Sequence, residues 1–78
     1  MTDDAEALLA RALAYADLRR WHEALGAARS LVALEPSAPN LVVLSDLARL
    51  AGDRPLAVDA ARRAIRADPT LPIAHRVM

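Results

Sequence analysis

Seventy-eight residues, 55% hydrophobic and 26% charged, suffice for one small folded domain and are too apolar for a disordered chain. Ten arginines balance ten acidic residues and there is no lysine, so no bulk field draws in nucleic acid or an acidic membrane. The lack of cysteine excludes disulfides, thiolate metal sites and cysteine nucleophiles, and no apolar run approaches the ~18 residues of a membrane span.

The chain opens with Met1-Thr2-Asp3-Asp4-Ala5-Glu6, which is acidic and lacks the basic and apolar regions of a signal peptide; a cytoplasmic domain is expected. Asp3 and Glu6 are spaced as a capping box, and their charges suit a helix N-terminus. Leu8, Leu9, Ala12, Leu13, Tyr15 and Ala16 recur at helical spacing and predict a helix over 4–18. The turn at 17–20 has a weak stop signal, with neither Gly nor Pro. A second helix follows over 21–34, ended where Pro36 disfavours helical geometry at Glu35. Ser37 caps a third helix and Pro39 sits in its first turn. Leu41, Leu44, Leu47, Ala48 and Ala51 give that helix its apolar face, and Gly52 closes it in a left-handed conformation. Asp53 caps a fourth helix, with Pro55 in its first turn, running to about 67. Asp68-Pro69 ends it, and Thr70 and Pro72 open a fifth element over 71–78. Links of a few residues make successive helices antiparallel hairpin partners.

The second helix returns as the fourth. Ala24/Ala57, Ala27/Ala60, Ala28/Ala61, Arg29/Arg62 and Pro36/Pro69 are identical at an offset of 33, and Leu25/Val58, Val32/Ile65 and Glu35/Asp68 keep their character. A fixed period of ~20–50 residues marks stacked repeats. Ala24 and Ala57 are expected at the closest approach of each hairpin's two helices, where added bulk would cost roughly 1–3 kcal/mol.

With two helices per unit and a proline closing each, the chain resembles the tetratricopeptide repeat family. Leu8, Ala12, Tyr15, Trp21, Ala24 and Pro36 occupy the family's places in one repeat, about 4–36. Leu41, Leu44, Ser45, Ala48, Gly52, Ala57, Ala64 and Pro69 do so in a second, about 38–69. The resemblance implies an all-α fold of antiparallel helical hairpins stacked as a right-handed α-solenoid, two repeats plus a partial third over 71–78, in one domain of 1–78. Arg11 stands where the family usually has leucine, which points to a rotated first helix. Arg19 stands in place of the turn glycine that Gly52 keeps. An ankyrin reading lacks that family's turn motif.

No residue cluster suggests chemistry. His22 and His75 have no carboxylate or second histidine at metal spacing; His22 reads as surface and His75 as packing. Ser30, Ser37 and Ser45 lack a nucleophile motif; Ser37 reads as a cap and Ser45 as a small packing residue. Gly26 and Gly52 form no phosphate loop. The expectation is no enzyme, no catalytic residue, no metal, no cofactor and no small-molecule substrate. Arg62, Arg63 and Arg66 form a basic patch with Arg29 at the matching place on the second helix, read as a solvated face paired locally with Asp59; the other reading is nucleic acid or an acidic partner.

The resemblance implies a concave peptide-binding groove at Leu9, Leu13 and Ala16, at Val42, Asp46 and Arg49, and at Arg76. Leu9 and Leu13 have a second reading as core, given Arg11. Asp46 would hold Arg49 in the empty groove, while Arg49 and Arg76 would grip a partner's carboxylate. The family's carboxylate clamp needs Lys and Asn where Leu9, Leu13 and Val43 stand, and is rejected. The expected function is a non-catalytic protein–protein interaction or scaffold module. Two alternatives stand beside it: a structural N-terminal piece packing on a longer protein or on itself, and a regulatory domain of a DNA-binding or signalling protein. Ile73, Val77 and Met78 leave an apolar C-terminal end through which two copies would associate.

Overall fold

The computed structural model describes residues 4–70. It contains α1 (Ala5–Asp17), α2 (Trp21–Leu34), α3 (Ala38–Ala51) and α4 (Arg54–Ala67), with no strand among the described residues. Each boundary has a local cause. Asp4 caps α1: its Oδ1 accepts the Ala7 N–H at 2.8 Å, and the helix starts one residue later than expected; Asp3 lies outside the described residues. Ser37 Oγ accepts from the Asn40 N–H at 3.4 Å at the start of α3. Asp53 Oδ1 accepts from the Leu56 N–H at 3.2 Å at the start of α4. These bonds satisfy amide groups that have no carbonyl partner within the helix. α2 has no side-chain cap; instead Arg20, just before it, pairs with Glu23 at 3.0 Å and sets its guanidinium 5.8 Å from the Tyr15 ring centre.

The turns after α1 and α3 share one geometry despite different sequences. After α1 the Arg20 N–H donates to the Tyr15 carbonyl and the Arg19 N–H to the Ala16 carbonyl, both at 2.9 Å. After α3 the Asp53 N–H donates to Ala48 at 2.8 Å and the Gly52 N–H to Arg49 at 3.1 Å. This pair of bonds defines the Schellman motif, which needs a left-handed residue just past the helix. Gly52 supplies it at φ 84°, and Arg19 at φ 58°. The first turn thus ends its helix as sharply as the second, but with a non-glycine residue in a region that sterically disfavours a Cβ.

Between α2 and α3 the carbonyl of Glu35 is claimed twice. It accepts from the Ser37 N–H at 2.9 Å and from Asn40 Nδ2 at 2.9 Å. Asn40 is almost fully buried, and the bond ties the end of α2 to the first turn of α3. The sequence reading gave Asn40 no role.

Consecutive helices pack on one another: α1 on α2, α2 on α3 and α3 on α4. Burial repeats with the sequence. Leu8 and Ala12 of α1 correspond to Leu41 and Ser45 of α3; Ala24, Ala27, Ala28 and Leu31 of α2 correspond to Ala57, Ala60, Ala61 and Ala64 of α4, and all are buried. α3 also buries Leu44 and Leu47, because it has neighbours on two sides. Arg11 takes the place of Leu44 in α1 and is exposed. The rotated first helix expected from Arg11 is therefore not found: α1 buries the same face as α3, and Arg11 lies on the side that α3 alone packs.

Alanine lines both hairpin seams. Ala12 and Ala24 have no exposed surface, and Ala57 is 2% exposed. Ser45, opposite Ala57, does more than fill space: its Oγ donates to the Ala57 carbonyl at 2.8 Å, fully buried. A hydroxyl without a partner there would cost ~1–3 kcal/mol; satisfied, it fastens α3 to α4.

Candidate functional site

Leu9, Leu13 and Ala16 are spaced 4 and 3 apart and share one face of α1. Val42, Asp46 and Arg49 repeat that spacing on α3, 33 residues on. Leu8 is 5% exposed while its neighbour Leu9 is half-buried and Leu13 is 48% exposed. The face of α1 carrying Leu9 and Leu13 is therefore distinct from its core face, and the reading of these two leucines as core does not hold. Ala16 and Val42 are half-buried and pack against the edge of the core. Asp46 Oδ1 lies 3.8 Å from an Arg49 guanidinium nitrogen, the local pair expected from their spacing. Arg49 is largely solvated and Asp46 partly so, so the pair adds little stability and leaves Arg49 open to a competing carboxylate. Arg76 and His75 fall outside the described residues, as do Ile73, Val77, Met78 and the fifth element.

The offset of 33 matches Arg29 with Arg62, but the residue that shares a depression with Arg29 is Arg63, together with Val32, Ala33, Leu44, Leu56 and Asp59. Residues at equivalent repeat positions point the same way, whereas residues that face each other across two helices come from different positions. Arg62 and Arg66 are exposed and Arg63 is half-buried. Among the described residues Asp59 forms no ion pair with Arg62 or Arg63, so the local pairing expected from their spacing does not form. A neighbouring depression is lined by His22, Leu25, Gly26, Arg29 and Asp53.

One titration is perturbed. Hydrogen bonds from the Thr70 hydroxyl at 2.6 Å and from the Thr70 N–H at 3.1 Å favour the charged form of Asp68 and hold its carboxyl below the usual value. This is a turn device after α4 and lies on neither face described above. Among the described residues no group of three or more His, Cys, Asp or Glu side chains converges as a metal cage, and no helix is long and apolar enough to cross a membrane.

Compared with known proteins, the chain matches no family model, no curated protein and no solved structure.

Proposed function

We infer that the chain is a non-catalytic protein–protein interaction module of the tetratricopeptide type, an α-solenoid of two helical hairpins that binds a short peptide across the faces of α1 and α3. The observation that carries this reading is the split of α1 into two apolar faces, with Leu8 and Ala12 buried in the hairpin while Leu9 and Leu13 remain accessible. A leucine left half-exposed on α1 and a solvated Arg49 on α3 suit an extended or helical segment presenting apolar side chains and one carboxylate. Support for the repeat architecture comes from the recurrence at 33 residues of helix boundaries, buried positions and Schellman turns. Two hairpins offer little area, so affinity is micromolar or weaker, about −8 kcal/mol at best.

The test is an amide-resolved NMR titration with a short peptide carrying two leucines and one glutamate. Shifts should concentrate at Leu9, Leu13, Val42 and Arg49. Arg49→Ala should weaken binding and flatten its salt dependence while leaving helicity intact, because the side chain is outside the core. Undiminished binding by that variant, or shifts confined to other residues, would remove the assignment.

A further inference from the structure

The depression shared by α2 and α4 is independent of the α1 and α3 face. It is an open hollow of about 350 Å³, near the lower limit of the ~300–1,000 Å³ usual for ligand pockets. That space suits a side chain or two more than a cofactor. Val32 and Leu44, almost fully buried, form its floor, and Ala33 and Leu56 add apolar wall. Among the described residues its charged lining is two guanidinium groups, Arg29 and Arg63, against one carboxylate, Asp59. Neither arginine is in an ion pair among the described residues. Exposed Arg62 and Arg66 extend the positive charge along α4. In a chain of zero net charge this is a local concentration of cations beside an apolar hollow.

We propose that this depression docks an acidic peptide segment: one apolar side chain enters against Val32, Leu44 and Leu56, and flanking carboxylates engage Arg29 and Arg63. Charge complementarity selects the occupant. A guanidinium binds a carboxylate through two parallel hydrogen bonds, and both are free to do so. Nucleic acid is the poorer fit, since among the described residues no aromatic side chain lines the hollow to stack a base. A lone apolar ligand would leave both guanidinium groups partly covered and without partners.

The probe is a blocked synthetic octapeptide with three glutamates on each side of a Leu-Phe pair. It is titrated into the 78-residue chain at low salt, followed by NMR and by fluorescence anisotropy. A matched peptide with lysines for glutamates and a uridine octanucleotide run beside it. The acidic peptide should shift the amides of Val32, Ala33, Leu56 and Asp59. Arg29→Glu/Arg63→Glu should weaken it at least about tenfold, and salt should weaken it as well. Arg49→Ala should leave it unchanged within about twofold, which separates this surface from the α1 and α3 face. Helicity by circular dichroism checks the double variant; if it is unfolded, the exposed Arg29→Glu alone carries the test. The proposal is overturned if the acidic peptide does not bind, if the arginine variants bind it as wild type does, or if the lysine peptide or the oligonucleotide binds more tightly. Shifts confined to α1 and α3 with a loss in Arg49→Ala would overturn it too, while supporting the other surface.

Discussion

Replacing Ala57 with Phe tests the α3–α4 seam at its tightest point. Ala57 is 2% exposed, and its carbonyl accepts the buried Ser45 hydroxyl at 2.8 Å. A phenyl ring has no room there, so the helices must separate. Overpacking of this kind costs ~1–3 kcal/mol, and the broken hydrogen bond adds ~0.5–1.5 kcal/mol. The sum, about 1.5–4.5 kcal/mol, is a large share of the ~4–12 kcal/mol expected for a chain of this length. At ~4–8 °C per kcal/mol for a domain of this size, the thermal midpoint should fall by at least about 6 °C, read by circular dichroism at 222 nm. Ser45→Ala is the internal control. Ala12 occupies the equivalent place in the first hairpin with no exposed surface, so alanine fits. The Ala57 carbonyl keeps its bond within α4, so the loss should be only about 0.5–1 kcal/mol. The double variant should lose less than the two singles added, because both break the same bond. A midpoint for Ala57→Phe within about 2 °C of wild type, or strict additivity in the double variant, would refute the close approach of α3 and α4 at this point.

The two Schellman turns give opposite predictions. Arg19→Gly relieves a Cβ at φ 58° and should raise stability by about 0.5–1 kcal/mol, after the entropy that glycine loses on folding; a lowered midpoint would show that Arg19 is not strained. Gly52→Ala meets no neighbouring atom within 4 Å, so its loss of about 1 kcal/mol would come from φ 84° alone; denaturant unfolding measures it. Asp53→Ala removes the cap of α4 and should cost about 0.5–2 kcal/mol, while Asp53→Asn should recover most of it. Thr70→Ala should raise the Asp68 carboxyl part of the way toward its ordinary value, since the Thr70 N–H bond survives. Because the folded-state value is depressed, Asp68 contributes stability above the ordinary carboxylate range and loses it as pH falls through the lowered value; the variant should protonate at higher pH in a carbon-13 carboxyl titration, and an unchanged curve would remove the hydroxyl as the cause.

The face of α1 carrying Leu9, Leu13 and Ala16 was legible only through the family resemblance, since helical spacing by itself groups Leu8, Leu9, Ala12, Leu13, Tyr15 and Ala16 into one apolar pattern. Its exposure was not: Arg11 suggested a rotation, whereas α1 buries Leu8 and Ala12 as α3 buries Leu41 and Ser45, and Arg11 itself is exposed. The Arg29–Arg63 depression was not anticipated, because the repeat offset matches Arg29 with Arg62 and does not say which side chains share a surface across helices. A repeat tells which residues are equivalent, not which of them share a surface across two helices.

The sequence by itself determined four helices and nearly every boundary, because caps at Ser37 and Asp53, prolines 36 and 69 and Gly52 act on the backbone within one turn. It also marked the alanine seams, since only small side chains recur at Ala24 and Ala57. Tertiary structure alone decided the bonds that cross between helices. Ser45 reaches the Ala57 carbonyl and Asn40 the Glu35 carbonyl, and Arg19 is driven to positive φ so that α2 can return along α1. These depend on the distance and rotation between helix axes, and both are set by how side chains interlock across the seam.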